Sequence, residues 1–240
     1  MDDWKLDPAH DLGMPLKERT RSLHREAGLM ETFLHTAWWS VVRSYLAVYH
    51  RLEISGREHL PTLPPFVLVA NHASHLDALV LASPLPARIR DRVFPIAAGD
   101  TFFETPASAV FAAFVLNALP IWRKNCGPHA LHELRDRLVN EPCAYILFPE
   151  GTRTRDGKMN RFKPGIGMLV AGTHVPVVPC YLHGCFEAWP PRAKVTRPRR
   201  IRVRIGPPLS FTGMNDDRAA WEAIASRIEQ AVAALSLDAQ

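Results

Sequence analysis

Polar and apolar positions along the chain fall into runs of two kinds. Continuous apolar stretches of strand length occur at Phe66-Val67-Leu68-Val69-Ala70, at 144–148 and at 175–182. A run without polar alternation is what a parallel sheet covered on both faces requires, because both sets of side chains are buried. Helix-like stretches lie between and around them, at 77–82, 107–117 and 129–139. This alternation predicts an α/β layered domain with a mostly parallel central sheet flanked by helices. Near the end, Ile201-Arg202-Val203-Arg204-Ile205 alternates strictly, the mark of a strand with one buried and one wet face. The last element, 217–235, places Trp221, Ile224, Ala225, Ile228, Val232 and Leu235 on one helical stripe.

The first 50 or so residues read as mainly helical, so the pattern divides the chain into an N-terminal segment, 1–53, and the α/β domain, 54–240. Within the segment, the apolar stretch 33–49 is interrupted by Arg43 and lacks the ~20 uncharged apolar residues of a spanning helix. It carries Trp38, Trp39, Tyr45 and Tyr49, rings that favour the headgroup level of a bilayer, and follows Lys17, Arg19, Arg21 and Arg25. Two readings stand: a helix lying in a membrane interface, or an amphipathic helix packed on the protein's own core. A basic, proline-marked loop runs from Pro190-Pro191 to Pro198-Arg199-Arg200.

Composition changes this picture little. The 240 residues suit one α/β domain with a short addition, and 47% hydrophobic residues argue against wholesale disorder. A net charge of +5 suits phosphate-bearing partners without choosing among them. Cys126, Cys143, Cys180 and Cys185 form no C-x-x-C pair and read as reduced buried thiols. The acidic, polar N-terminus is no secretory signal.

Two clusters carry candidate chemistry. Asn71-His72-Ala73-Ser74-His75-Leu76-Asp77 directly follows the buried strand at 66–70, where ligands of open α/β sheets gather. Ser74 and Asp77 have capping spacing, which would put Asp77 in a first helical turn and His72 in the bend before it. A carboxylate on one imidazole nitrogen fixes the tautomer and leaves the other free to take a proton. No G-x-S-x-G elbow supplies a protein nucleophile, so the hydroxyl would come from the substrate. Two other readings are an Asp that serves only the helix start, and a metal held by His72, His75 and Asp77 without a second ligand cluster.

The second cluster is Phe148-Pro149-Glu150-Gly151-Thr152-Arg153-Thr154-Arg155. Gly151 permits close backbone approach, Arg153 and Arg155 suit a phosphate, Thr152 adds a hydroxyl, and Glu150 can accept from a polyol. Ion pairing between Glu150 and an arginine is the plainer alternative. Arg123 at the end of a short strand and Lys163 after the glycine-bearing loop add two cations that are, singly, ordinary surface charges. Neither a dinucleotide fingerprint nor a P-loop is present.

These motifs resemble those of the glycerolipid acyltransferase family, over roughly residues 54–210. The resemblance rests on four blocks in order: Asn71-His72-Ala73-Ser74-His75-Leu76-Asp77, Pro120-Ile121-Trp122-Arg123, Phe148-Pro149-Glu150-Gly151-Thr152-Arg153, and Val175-Pro176-Val177-Val178-Pro179. It implies His72 as general base on an acceptor hydroxyl, oriented by Asp77. It implies that Arg123, Glu150, Gly151, Thr152 and Arg153, with Lys163 as a looser match, bind the acceptor's glycerol phosphate. It further implies a lysophospholipid acceptor such as lysophosphatidate, an acyl-CoA or acyl carrier protein donor, no metal and no cofactor. The implied location is the cytoplasmic face of the membrane, through residues 30–50. In relatives the second block often shows Gly and Phe-Ile with its Arg; here Leu119-Pro120-Ile121-Trp122 precedes Arg123, and the bulk of Trp122 is a departure that bears on the acceptor. The alternatives are another lyso-lipid acceptor, such as a lyso-aminolipid, and a non-catalytic lipid-binding protein. Hydrolysis, with water in place of the acceptor, is a further possibility. Nucleic acid is not expected, since Arg202 and Arg204 form the wet face of a strand without an aromatic platform.

Overall fold

The structure is a computed structural model of the chain and describes Pro15 and residues 29–90, 92–98, 119–121 and 128–237. The helices are α1 (Leu29–Val48), α2 (Asp77–Ala82), α3 (Ala87–Arg90), α4 (Pro128–Asn140), α5 (Gly165–Val170), α6 (Cys185–Ala188) and α7 (Arg218–Leu237). The strands are β1 (Glu53–Ser55), β2 (Phe66–Ala70), β3 (Val93–Ala98), β4 (Leu119–Ile121), β5 (Ala144–Leu147), β6 (Val177–His183) and β7 (Arg202–Ile205). They form one seven-stranded sheet in the order β1-β7-β6-β2-β5-β3-β4. Every pairing is parallel except β6 with β7. The expected layered, mostly parallel architecture is therefore present.

β2 shows why its sequence lacks alternation. Phe66, Leu68 and Ala70 face a core shared with α1, α2 and α3, through Leu46, Val80, Leu81 and Ile89. Val67 and Val69 face the opposite core, shared with α4, α5 and α7, through Leu138, Leu169 and Ile228. Each face thus buries its own helices, and all five strand residues are fully enclosed. β7 has the expected alternation, with Val203 and Ile205 buried and Arg202 and Arg204 half-exposed.

Element boundaries follow local chemistry. β6 starts at Val177 because Pro176 has no N–H to give the ladder; its carbonyl accepts the Val67 N–H instead, at 2.9 Å. β5 ends at Leu147, and Phe148 enters a turn in which its carbonyl accepts the Gly151 N–H at 3.0 Å.

Two strands were not anticipated, β1 for its brevity and β3 for its proline. Pro95 sits inside β3, where a proline argues against a strand. The reason it fits is positional. β5 flanks residues 93–95 and β4 flanks 96–98, so Pro95 lies where one neighbour hands over to the other. The expected helix at 107–117 lies outside the described residues.

For α1 the structure answers one of the two readings directly. Trp39, Val42 and Leu46 are buried in the core against β2 and α3. Each contributes about 1.5–3 kcal/mol on burial, so this face of the helix belongs to the domain. His50, fully buried just after α1, accepts or donates through Nε2 to the Tyr45 hydroxyl (2.9 Å) and meets the Arg199 carbonyl through Nδ1 (3.2 Å). Val41 and Val48 remain exposed on the other side. Among the described residues, no helix is long and apolar enough to cross a membrane.

Candidate active site

Register places the site. Val69 pairs with Leu147 and Ala70 with Cys180, so the chains leaving β2 and β5 emerge at one level of the sheet, beside β6, which runs on to His183. Asn71 extends the ladder by one residue with its side chain: its amide donates to the Leu182 carbonyl (3.0 Å) and accepts the Leu182 N–H (2.8 Å). This holds the bend before His72 against β6.

His72 and Asp77 meet across that bend. Nδ1 of His72 lies 2.8 Å from Oδ2 of Asp77. The same oxygen accepts the N–H groups of Ala73 (2.6 Å) and Ser74 (2.8 Å). Asp77 is fully buried, and the His72 side chain is 23% exposed. A carboxylate at Nδ1 selects the tautomer with its proton there, which leaves Nε2 the unprotonated nitrogen of the neutral ring. Phe148 stacks on the imidazole at 4.3 Å between ring centroids, 16° from parallel, and fixes its plane.

The capping expectation is realised in altered form. Asp77 reaches back to the Ser74 N–H, but the Ser74 hydroxyl accepts from Leu76 (3.2 Å) rather than from Asp77. That hydroxyl also donates to the Trp189 carbonyl at 2.9 Å, which turns it away from the helix start. The three candidate metal ligands do not converge either, since the His75 ring is turned to Trp189 and Arg153. Among the described residues, no group of three or more His, Cys, Asp or Glu is placed to hold a metal ion.

The second cluster docks on the first through its backbone. Glu150 Oε1 accepts the His72 N–H at 2.6 Å, and the His72 carbonyl accepts the Thr154 N–H at 2.9 Å. Glu150 Oε2 accepts both the backbone N–H (3.0 Å) and the side-chain amide (2.9 Å) of Asn160. Glu150 is buried, and that burial raises its pKa against the opposing pull of the Asn160 and His72 donors. Both of its oxygens are engaged by the protein itself. Their partners are the His72 and Asn160 donors, not the arginine of the alternative reading.

Gly151 has φ +75°, and a side chain there would collide with Lys163, whose Nζ passes 2.6 Å from the position of a Cβ. Glycine at this position therefore serves both the left-handed turn and the passage of Lys163 over it. Thr152 and Arg155 are exposed on the same loop. Arg153 lies half-buried against the His75 imidazole, 2.6 Å from its Nδ1. Burial, then the Arg153 charge, hold the His75 pKa down to about 4, so this ring is neutral near pH 7. Arg123 and Trp122 lie outside the described residues.

Sequence reasoning missed Phe148, Asn160 and Trp189 as site-building residues. Phe148 opened the second cluster but was given no role there, and nothing local to Asn160 or Trp189 signals contact with 71–77. Cys185, at the start of α6, is also buried beside Asp77; burial and then the Asp77 charge push its thiol well above the ordinary range. It is no thiolate nucleophile.

The fold and this pair define the class: an α/β protein presenting a histidine hydrogen-bonded to a buried carboxylate at the carboxyl ends of parallel strands, with cations beside it. A model of the family described as Acyltransferase matches residues 51–183, and the chain belongs to that family. It is 32% identical over 170 residues to the 1-acyl-sn-glycerol-3-phosphate acyltransferase alpha of Mus musculus, covering 70% of this chain and 58% of that protein. The enzyme of the same name from Homo sapiens is 29% identical over 184 residues, covering 76% and 62%. The chain thus spans about three-fifths of the length of these curated relatives. The crystal structure of the 1-acyl-sn-glycerophosphate acyltransferase PlsC from Thermotoga maritima shares the fold, with a TM-score of 0.68 at 23% identity, covering 88% of this chain and 82% of that one.

Proposed function

We propose that the protein transfers a fatty-acyl group from acyl-CoA or acyl carrier protein to the free hydroxyl of lysophosphatidate, giving phosphatidate. The observation that carries this reading is the His72 Nδ1–Asp77 Oδ2 bond, with the basic residues Arg153 and Lys163 on the neighbouring loops. The relatives' names supply the substrate class.

In this scheme the acceptor hydroxyl attacks the thioester carbonyl while Nε2 of His72 takes its proton. A C–O bond forms and the carbonyl becomes a tetrahedral oxyanion. The C–S bond then breaks, and the imidazolium returns its proton to the departing thiolate. Asp77 stabilises the imidazolium and holds its plane. The scheme calls for neither a covalent acyl-enzyme nor a metal. Arg153 and Lys163, together with Arg123 and the Gly151–Thr152 backbone, are the proposed holders of the acceptor's phosphate, and Glu150 fixes the loop that carries them. The protein would work as a peripheral protein of the cytoplasmic membrane face, with residues 30–50 on the bilayer side.

A thiol-release assay tests this by crossing acyl donors with lysophosphatidate and with uncharged lyso-lipids. His72→Ala should abolish transfer to every acceptor. Arg153→Ala should lower kcat/KM for lysophosphatidate about ten- to a hundredfold, the worth of a charge-assisted hydrogen bond, and leave an uncharged acceptor nearly unaffected. Near-normal transfer by folded His72→Ala would overturn the chemistry, and equal loss on both acceptors would overturn the phosphate assignment.

A further inference from the structure

The loop between α6 and β7 is the most one-sidedly charged part of the chain. Residues 190–204 contain Arg192, Lys194, Arg197, Arg199, Arg200, Arg202 and Arg204, and no acidic residue. Arg200 and Arg202 share Glu53, at 3.3 and 3.0 Å. Arg192, Lys194, Arg197 and Arg199 are exposed and have no carboxylate partner among the described residues. In their midst Val195 is 72% exposed.

The loop is ordered by backbone and ring contacts, not by these cations. The Arg197 N–H donates to the Ala188 carbonyl (2.7 Å), the Trp189 indole N–H donates to the Ala193 carbonyl (2.8 Å), and the Ile201 N–H donates to the His50 carbonyl (3.0 Å). Thr196 rests on the end of α1, its hydroxyl 2.6 Å from that of Tyr45 and its carbonyl accepting from the Tyr49 hydroxyl (3.3 Å). At its other end the loop begins at Trp189, whose ring meets His75 and whose carbonyl accepts from Ser74. One compact loop thus joins the rim of the His72 site to the end of α1, where Val48 is 80% exposed and Tyr49 37% exposed.

We propose that residues 190–200, with Val195 and the exposed end of α1, form a docking surface for an anionic lipid bilayer, and that docking there turns the mouth of the His72 site toward the membrane. Unpaired cations around an exposed valine and a tyrosine suit a charged headgroup layer with apolar chains beneath it. An acidic protein is answered by the same charges, but it gives no reason for the apolar residues among them. The inference takes its membrane partner from the proposed function; it does not depend on which lipid is acylated.

The test is co-sedimentation of the full chain with phosphatidylcholine vesicles, with and without phosphatidylglycerol, in the absence of acyl donor and acceptor. The native chain should bind the anionic vesicles in a salt-sensitive manner. R192Q/K194Q/R197Q/R199Q should lose about fivefold in partitioning per charge removed, and Val195→Ser should weaken binding further at high salt. Arg218→Gln, which removes a cation on α7, should change little. The four substitutions leave every backbone bond of the loop in place; circular dichroism checks the fold, and K194Q/R199Q serves if the quadruple variant does not fold. On detergent-dispersed substrate the variants should turn over normally, and on anionic vesicles slowly. Native-like vesicle binding by the folded variants would overturn the proposal. So would equal loss on neutral vesicles, or retained vesicle binding with loss of affinity for acyl carrier protein. If the binding results hold while transfer to lysophosphatidate fails, the acceptor assignment is wrong and the docking surface stands.

Discussion

Glu150 and His72 are joined by a 2.6 Å hydrogen bond from the His72 backbone N–H to the Glu150 carboxylate, across 78 residues of sequence. The bond makes the second cluster part of the scaffold of the first. Glu150→Gln retains the shape but must turn an NH2 group toward either the His72 N–H or the Asn160 donors. We expect a loss of about 1–3 kcal/mol in urea denaturation, the cost of an unsatisfied buried donor, together with a fall in kcat. If Glu150 acted only by touching the acceptor, KM would rise and stability would not change.

Asp77→Asn removes the charge that selects the His72 tautomer while keeping the side chain's size. By analogy with other carboxylate–histidine pairs, kcat should fall about a thousand- to ten-thousandfold with KM little changed. Steady-state kinetics on variant protein with a native circular dichroism spectrum measures this. A loss below tenfold would reduce Asp77 to a helix-start residue, which its bonds to the Ala73 and Ser74 N–H groups would also explain.

His75 gives the pH response of stability a definite sign. Its folded pKa is held down to about 4, below the ordinary 6.5, by burial first and by Arg153 and His72 next, with Asp77 opposing. Below 6.5 the unfolded chain binds the proton more readily than the folded one. The stabilisation is therefore complete above 6.5 and is lost progressively as pH falls toward about 4. His50, lowered by burial, acts in the same direction. Urea midpoints followed over this range should fall less steeply with acid in His75→Asn than in the native chain.

The contact of α5 with α7 has no room at Gly167. A Cβ there would lie 2.3–2.7 Å from the carbonyl oxygen, Cα and carbonyl carbon of Trp221, and backbone cannot swing aside as a side-chain tip can. Gly167→Ala should cost about 3 kcal/mol, the upper end for overpacking. Gly165→Ala, whose Cβ would meet only Leu131 at 3.6 Å, should be neutral or slightly stabilising. Thermal melting of the two variants side by side makes the comparison.

What the sequence determined by itself is what depends on neighbours along the chain. The doubly buried β2, the helix at 77–82, the alternation of β7 and the stripe of α7 were legible because period and burial are coupled within a few residues. The closeness of His72 to Asp77 was legible for the same reason, since one bend and one helical turn separate them. Tertiary structure decided the rest. It chose the buried face of α1, put Pro95 inside a strand at the one point where the sheet tolerates it, and turned His75 to Arg153 and Trp189. It also set Glu150 to hold His72, a contact that exists only because β2 and β5 pair in the register that brings Val69 beside Leu147. Register between distant strands is set by how two apolar faces pack on opposite sets of helices, and no local window of the chain contains that information.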